Sequence, residues 1–360
     1  MLRLPCYYEV FWQSYKPMRT KVCITIDTEF SIGGAFADST RVPVAEQNVW
    51  CNVNGRSEGL GFMLDTFRKY QVQATFFVET VQRYYFKNAD KMGVIARQIH
   101  DAGHEVQLHS HPCWSLFEHD DWRTRALTAK APDNYFGRDL NDSIRLLRQG
   151  IESFADWDLP RPRAFRSGNL QHDENLFKAL AHVDIPYSSN VAVSVFDSGH
   201  PDYALYSGTH ERLGVLECPV LTYSDWRVGR RRHLKALSIA GTSFAETRVL
   251  LNKAQAAGVP LVVILTHPFE YVQKDDLAYR HARRHGVTQQ RLTQLCAFLQ
   301  ANNDRFDGCG MVQAASDPAC RDERNLLLTT PIWHSAPRMG TQVAYDYFGR
   351  WALARTRNAA

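Results

Sequence analysis

Strand patterns and helix patterns alternate along most of this chain, and that alternation constrains the fold more than any other feature. Residues 22–26, 74–78 and 261–265 are apolar runs typical of buried strands, and amphipathic helical patterns such as 59–70 and 89–101 lie between them. Parallel strands joined by crossover helices produce this order. The sequence therefore predicts an α/β fold, a distorted (β/α) barrel of about seven parallel strands.

The order of the patterns divides the chain into a barrel and two extensions. The barrel is predicted over residues 21–315 and ends with a strand at 311–312, between extensions at 1–20 and 316–360. In the second extension, apolar residues at helical spacing lie beside arginines (Val343, Tyr347, Phe348 and Trp351). This pattern indicates a helix that packs on the barrel or, alternatively, one that lies on a membrane surface.

Composition indicates a soluble globular protein and argues against a nucleic-acid-binding or membrane-spanning one. The 360 residues are 44% hydrophobic and 22% charged, and the dispersed net charge of +4 gives no indication of nucleic-acid binding. The chain has no run of about 18 apolar residues, so no transmembrane segment is predicted. Its eight cysteines form no Cys-x-x-Cys pair, which favours free thiols and a cytoplasmic location.

Pairs of potential metal ligands follow two predicted strands. Asp27 and Glu29 end the strand at 22–26, and His109 and His111 end a strand that begins near residue 105. Residues two apart on a strand point to the same face, so each pair shares a face. Two imidazoles with carboxylates suit a divalent metal. Each pair taken alone is also compatible with solvated acids or with ordinary surface or core histidines.

Arg166 and His267 also lie at the ends of predicted strands. The active sites of parallel barrels lie at the carboxyl ends of the strands, where all the chemically suggestive residues of this chain are predicted to meet. The alternative for Arg166 is a structural ion pair, and for His267 a capped histidine of the core.

These segments resemble the motifs of polysaccharide deacetylases, metal-dependent carbohydrate esterases that include chitooligosaccharide and peptidoglycan deacetylases. The resemblance covers roughly residues 20–315. Residues 25–29 resemble the first motif of the family, 74–77 its second-strand signature, 103–112 its histidine motif and 265–267 its last motif. The resemblance implies a divalent ion, taken as zinc, and a carbohydrate partner.

The resemblance also implies roles for individual residues. Asp27 would be the catalytic base, and Arg166 would hold it ionised by a charge-assisted hydrogen bond. His267 would be the general acid that protonates the leaving sugar amine. Asp184 is the nearest candidate, by order along the chain, for the acid that tunes this histidine, although a turn residue before a strand explains it equally well.

The ligands implied by the resemblance are Glu29, His109 and His111, at spacings that differ from the family pattern. The family has two adjacent aspartates where this chain has Asp27 and Glu29, and its histidines are four residues apart instead of two. The sequence therefore leaves open whether Asp27 or Glu29 is the carboxylate ligand. In these departures the chain resembles divergent members associated with surface-polysaccharide biosynthesis.

The predicted function is metal-dependent removal of an N-acetyl group from a sugar or a sugar-linked intermediate. One alternative is hydrolysis of a non-sugar C–N bond of the cyclic amide type. Another is an inactive glycan-binding module, although the presence of both the predicted base, Asp27, and the predicted acid, His267, argues against it. The basic run at 227–235 indicates either a phosphate-binding segment or a solvated loop. Three loop aromatics are candidates for stacking on a sugar or for loop packing: Trp50, Trp114 and Phe117.

Overall fold

A computed structural model describes residues 19–38, 40–128, 133–229 and 231–334. Its strands are β1 (Thr20–Thr28), β2 (Asn52–Val53), β3 (Arg56–Ser57), β4 (Thr75–Glu79), β5 (Glu105–Ser110), β6 (Ala164–Ser167), β7 (Tyr187–Ser188), β8 (His210–Arg212), β9 (Val215–Glu217), β10 (Thr222–Val228), β11 (Arg231–Ala236), β12 (Leu261–Thr266), β13 (Val272–Lys274), β14 (Ala282–Arg284), β15 (Phe306–Gly308) and β16 (Leu328–Thr329). Its helices are α1 (Gln47–Trp50), α2 (Leu60–Tyr70), α3 (Arg83–Phe86), α4 (Met92–Asp101), α5 (Trp122–Thr128), α6 (Leu140–Asp156), α7 (Glu174–His182), α8 (Phe244–Ala256), α9 (Gly286–Ala301) and α10 (Met311–Ser316).

The main sheet is a curled array of parallel strands. Eight of its nine strands follow the order β12–β1–β4–β5–β6–β7–β9–β8, and β15 also pairs with β1. β8 is antiparallel to β9, and the other pairings are parallel. The segment after β9 returns to the opposite edge, where Val220 and Val263 form a parallel bridge. The predicted fold class, a distorted barrel of about seven parallel strands, is confirmed.

The central strands are buried on both faces, which explains their continuous apolar sequences. On β1, Val22, Ile24 and Ile26 pack in the larger core cluster with the helices, whereas Cys23 packs in a second cluster with residues of the facing strands. Because side chains alternate along a strand, Asp27 continues the face of Cys23. That face is the inside of the barrel.

Strand register brings the carboxyl ends of neighbouring strands together. Ile26 is paired with Thr266, so the next residues along, Asp27 and His267, are neighbours at the edge of the barrel. Further along the sheet, His109 at the end of β5 is paired with Arg166 on β6. The candidate site residues therefore meet because parallel strands end at the same side of the sheet.

The last predicted strand is wrong in type and position. The strand in this region is β15, and Met311 begins helix α10 instead. Glu105 explains the difference, because its carboxylate accepts hydrogen bonds from the backbone N–H groups of Val312 and Gln313 at the start of the helix. Glu105 thus caps the amino end of α10 from a distant strand, and this outweighs the strand propensity of Met311 and Val312.

Both chain termini lie outside the described residues, and so does the helical pattern around residues 343–351. The division into a barrel at 21–315 and two extensions stays a prediction. Over the described ranges, no helix is both long enough and apolar enough to cross a membrane.

Candidate metal centre and acid–base site

Three predicted ligands lie together at the mouth of the barrel, and we call them the metal cluster: Glu29, His109 and His111. The Glu29 carboxylate lies 2.7 Å from Nε2 of His111 and 3.3 Å from Nε2 of His109. The possible ligand atoms of all three lie within 4.8 Å of one another. The cluster thus supplies two nitrogen donors and one oxygen donor, a set that fits zinc.

Hydrogen bonds at the other nitrogen fix both imidazole rings. Nδ1 of His109 donates to the backbone carbonyl of Arg166 at 2.8 Å, which leaves the lone pair on Nε2. Nδ1 of His111 lies 2.8 Å from the Asp133 carboxylate. Metal-binding histidines typically have such an acceptor behind the ring, so both rings present Nε2 in the orientation that a ligand needs.

The electrostatics of the metal cluster favour a positive charge at its centre. Burial opposes ionisation of Glu29, but His111 and His109 outweigh it and hold the pKa of the carboxyl well below its usual range. Burial likewise opposes protonation of His111, but Glu29 and Asp133 outweigh it and raise the pKa of the imidazole well above its usual range. A divalent cation bound by these groups would supply the charge that they favour.

Asp133 is part of the site although no sequence pattern pointed to it. It lies between α5 and α6, in a segment without strand or helix periodicity. Asn169, in the turn after β6, donates to both the backbone carbonyl and the carboxylate of Asp133 at 3.2 and 3.0 Å. Cys113 lies close enough to form a second group of possible ligands with His111 and Asp133. We interpret Asp133 as the residue that orients the His111 ring.

Glu79, at the carboxyl end of β4, fixes the backbone at His111. Its buried carboxylate accepts the backbone N–H groups of Thr80, Val81 and His111 at 2.8, 2.7 and 2.6 Å. Burial raises the pKa of this carboxyl to about 7. The signal that pointed to Asp27, an acid at the end of a buried strand, applies equally to Glu79 and would have found it.

Gly168, directly after β6, lets the chain pass close to His111. A Cβ at this position would lie 2.5 Å from Nδ1 of His111 and 2.7 Å from its Cγ, closer than real Cβ contacts allow. The ring cannot yield without losing its hydrogen bond to Asp133. The glycine therefore defines the ring position by leaving room for it.

We expect Gly168→Ala to weaken metal binding by about tenfold or more, the size of effect seen when outer contacts of metal ligands are lost. The effect would be steric, since the backbone of Gly168 does not have the positive φ that favours glycine. Titration with zinc against a competing chelator would measure it. An unchanged affinity in a variant with a normal unfolding midpoint would contradict the assigned position of His111.

Asp27 and Arg166 form a buried ion pair beside the metal cluster. Nη1 of Arg166 donates to Oδ1 of Asp27 at 2.8 Å, and both side chains are almost completely buried. The other guanidinium donors bind Ser189, with Nε on its carbonyl and Nη2 on its hydroxyl. Each of the three guanidinium nitrogens of Arg166 thus donates one hydrogen bond. The second oxygen of Asp27, Oδ2, lies on the side of His267.

His267 lies on the other side of Asp27, with Nε2 3.7 Å from Oδ2. Its Nδ1 lies 3.2 Å from Glu270, and the Phe269 ring stacks on the imidazole at 4.8 Å. Burial disfavours the imidazolium, but Glu270, with smaller effects from Asp27 and Glu29, outweighs burial and raises the pKa of His267 to about 9. The group is therefore protonated at neutral pH.

The structure does not bring Asp184 to this site. It is exposed in a turn before β7, at the amino end of a barrel strand, whereas His267 follows the carboxyl end of one. The acid that contacts His267 and raises its pKa is Glu270 instead, because the turn after β12 folds back onto the histidine. The spacing of His267 and Glu270, three residues apart, was the signal in the sequence.

A cleft of about 290 Å³ opens beside Glu29 and His111. Of the loop aromatics, Trp114 lines this cleft, whereas Phe117 packs against other rings and Trp50 packs against the core. The basic run at 227–235 lies in the β10–β11 hairpin and contributes no described residue to the cleft wall. Lys274 is the basic residue at the cleft.

Residues 54–188 match the family model described as polysaccharide deacetylase. The matched segment contains His109, His111 and Arg166. It excludes Asp27, Glu29 and His267, whose assignment rests on the sequence motifs and on the geometry of the site. The resemblance predicted from the sequence is confirmed by this match. No curated protein matches the sequence.

Solved structures that are similar to the chain include the following three. A protein from Mycobacterium smegmatis, assigned to the polysaccharide deacetylases, is 19% identical with a TM-score of 0.48, over 87% of this chain and 94% of that one. A family 4 carbohydrate esterase from Streptomyces lividans is 13% identical with a TM-score of 0.40, over 86% and 99%. A peptidoglycan deacetylase from Bacillus subtilis is 11% identical with a TM-score of 0.37, over 83% and 91%. Similarity at this level does not bear on the site residues.

Proposed function

We propose that this chain is a metal-dependent hydrolase that removes the acetyl group from an N-acetylated sugar, and the match of residues 54–188 to the polysaccharide deacetylase model supports this. One observation carries the proposal. The metal cluster lies beside a buried Asp27–Arg166 pair and a His267–Glu270 pair at a single barrel mouth. Amide hydrolysis needs these three elements: an electrophilic centre, a base and an acid.

We propose that the metal cluster holds zinc through Nε2 of His109, Nε2 of His111 and the Glu29 carboxylate. When bound, such an ion polarises a carbonyl oxygen and makes water acidic enough to be deprotonated near neutral pH. Asp133 and the backbone carbonyl of Arg166 would keep the two imidazoles in place, because each accepts the Nδ1 proton of one ring.

The two pairs would move the protons. Asp27 accepts the proton of the attacking water at Oδ2, while Arg166 holds Oδ1 and keeps the carboxylate oriented. His267, protonated and held by Glu270 through Nδ1, donates from Nε2 to the amine nitrogen as the C–N bond breaks. Acetate and a free amino sugar are the products.

A screen of acetamido sugars for acetate release and of cyclic amides for ring opening, with and without a chelator, tests this function. Chelator-sensitive acetate release from a sugar supports deacetylation. Ring opening of cyclic amides without acetate release from any sugar would favour a hydrolase of non-sugar C–N bonds. Sugar binding without any turnover of the metal-loaded protein would favour a glycan-binding module.

We expect Glu270→Gln to move the alkaline limb of kcat/KM to lower pH. The Glu270 carboxylate stabilises the imidazolium, so its removal lowers the pKa of His267 from about 9, and the acid form is lost at lower pH. Measurement of pH profiles for wild type, Glu270→Gln and a remote control, Glu174→Gln, would show the shift. Identical profiles in all three would mean that another group is the general acid.

Two finer proposals rest mainly on the sequence. We propose that the sugar belongs to surface-polysaccharide biosynthesis and that the chain acts in the cytoplasm. The seven cysteines of the described residues are free and buried, which fits a reducing compartment. Cell fractionation, together with sugar analysis of a strain that lacks the protein, would test both.

A further inference from the structure

The cleft beside the metal cluster has an amine in its wall. Lys274, at the end of β13, is the only lysine or arginine among the described residues that line the cleft. Its strand is paired with β14 in an antiparallel hairpin, so the position of its backbone is fixed. Lys274 therefore lines the same space as Glu29 and His111.

Aromatic contacts hold the amine in place. Nζ of Lys274 lies 3.7 Å from the centroid of the Tyr279 ring and 5.8 Å from that of Phe269. The Tyr279 hydroxyl donates to Asn48 at 2.5 Å, and the Asn48 amide donates to the backbone carbonyl of Glu29 at 2.9 Å. A continuous chain of contacts thus positions Lys274 relative to the metal cluster.

Lys274 makes no ion pair or hydrogen bond with any carboxylate that the structure describes. Its neighbours differ: Arg41 pairs with Asp38 at 3.1 Å, and Arg280 with Asp276 at 3.7 Å. Burial lowers the pKa of the Lys274 amine. Asp276 attracts the amine electrostatically, which opposes the lowering of its pKa, but forms no salt bridge with it. A half-buried ammonium that forms no salt bridge and lines a cleft is a site for an anion.

We propose that Lys274 binds an oxyanion of the substrate, a carboxylate or a phosphate carried by the N-acetylated sugar or by the unit next to it. Lys274 also lines a second cavity of about 630 Å³, which has room for that neighbouring unit. Glu29 and Asp133 line the first cleft and would repel an anionic substrate, so a fixed cation opposite them would decide whether such a substrate is accepted. This inference deepens the proposed deacetylation and rests on it.

The test compares matched substrates on wild type, Lys274→Met and Lys274→Arg. One pair is an oligomer of 2-acetamido-2-deoxyglucuronate and its neutral methyl ester, and the other is N-acetylglucosamine 1-phosphate and the neutral methyl glycoside. We expect Lys274→Met to lower kcat/KM about tenfold or more for the anionic member of one pair and less than about twofold for the neutral members. Lys274→Arg should keep part of the preference. Lys178→Met, an exposed lysine on α7, is the control for loss of charge alone.

The pair that responds identifies the oxyanion as carboxylate or phosphate. Equal effects of Lys274→Met on charged and neutral members, or no effect on either, would overturn the inference while leaving deacetylation intact. Calorimetric titration of the same compounds separates the two proposals. Lysine-dependent binding of the anion without acetate release would support the anion site and overturn deacetylation.

Discussion

Asp27→Asn is expected to keep the fold and the bound metal while lowering kcat by about 10²–10⁴-fold, the usual contribution of a general base. Asparagine has the size of aspartate and can still accept the hydrogen bond from Arg166, but it cannot take a proton from water. The loss should therefore appear in kcat and in kcat/KM alike. The rate of acetate release measures kcat, elemental analysis measures the bound metal, and the unfolding midpoint reports on the fold.

The control for this prediction is Asp65→Asn, which changes an exposed acid on α2 that is paired with Arg68. Near-normal kcat in Asp27→Asn would rule out Asp27 as the base. Loss of metal in this variant, with full retention in Glu29→Asp, would exchange the roles of the two acids and make Asp27 the ligand.

The double change His109→Ala, His111→Ala is expected to reduce the metal content from about one ion per chain to near zero. Both nitrogen donors of the metal cluster disappear, and a lone carboxylate does not hold a divalent ion tightly. Elemental analysis after dialysis measures the result. A matched double change of exposed histidines, His100→Ala with His119→Ala, should keep the ion.

Glu29→Asp refines the same test. It retracts the carboxylate by about 1.5 Å, the length of one C–C bond, whereas metal–ligand distances tolerate only about 0.2 Å. We expect weaker zinc binding and low activity, partly restored by excess zinc. Wild-type metal content in both the double variant and Glu29→Asp would mean that the ion is bound elsewhere, and the metal cluster would have to be abandoned.

The sequence alone determined the barrel and the placement of the main site residues. Continuous apolar strands separated by helices have few other solutions, and parallel strands must end at one side of the sheet. For that reason the sequence places Asp27, Arg166 and His267 at one barrel mouth, and the two-residue period of a strand places His109 and His111 on one face. These conclusions follow from local periodicity, which a sequence shows directly.

Tertiary structure alone decided the residues that support the site. Asp133 reaches His111 from a loop without periodicity, and Lys274 is fixed through Tyr279 and Asn48 from distant parts of the chain. Glu270, rather than Asp184, orients His267, because the turn after β12 folds back on the ring. In the same way Glu105 makes a helix of the segment that begins at Met311. The His267–Glu270 contact is local, since the two residues are three apart along the chain. The contacts of Asp133, Asn48 and Glu105 instead join segments that are distant in sequence. Their proximity depends on packing of the whole chain, which no local pattern in the sequence encodes.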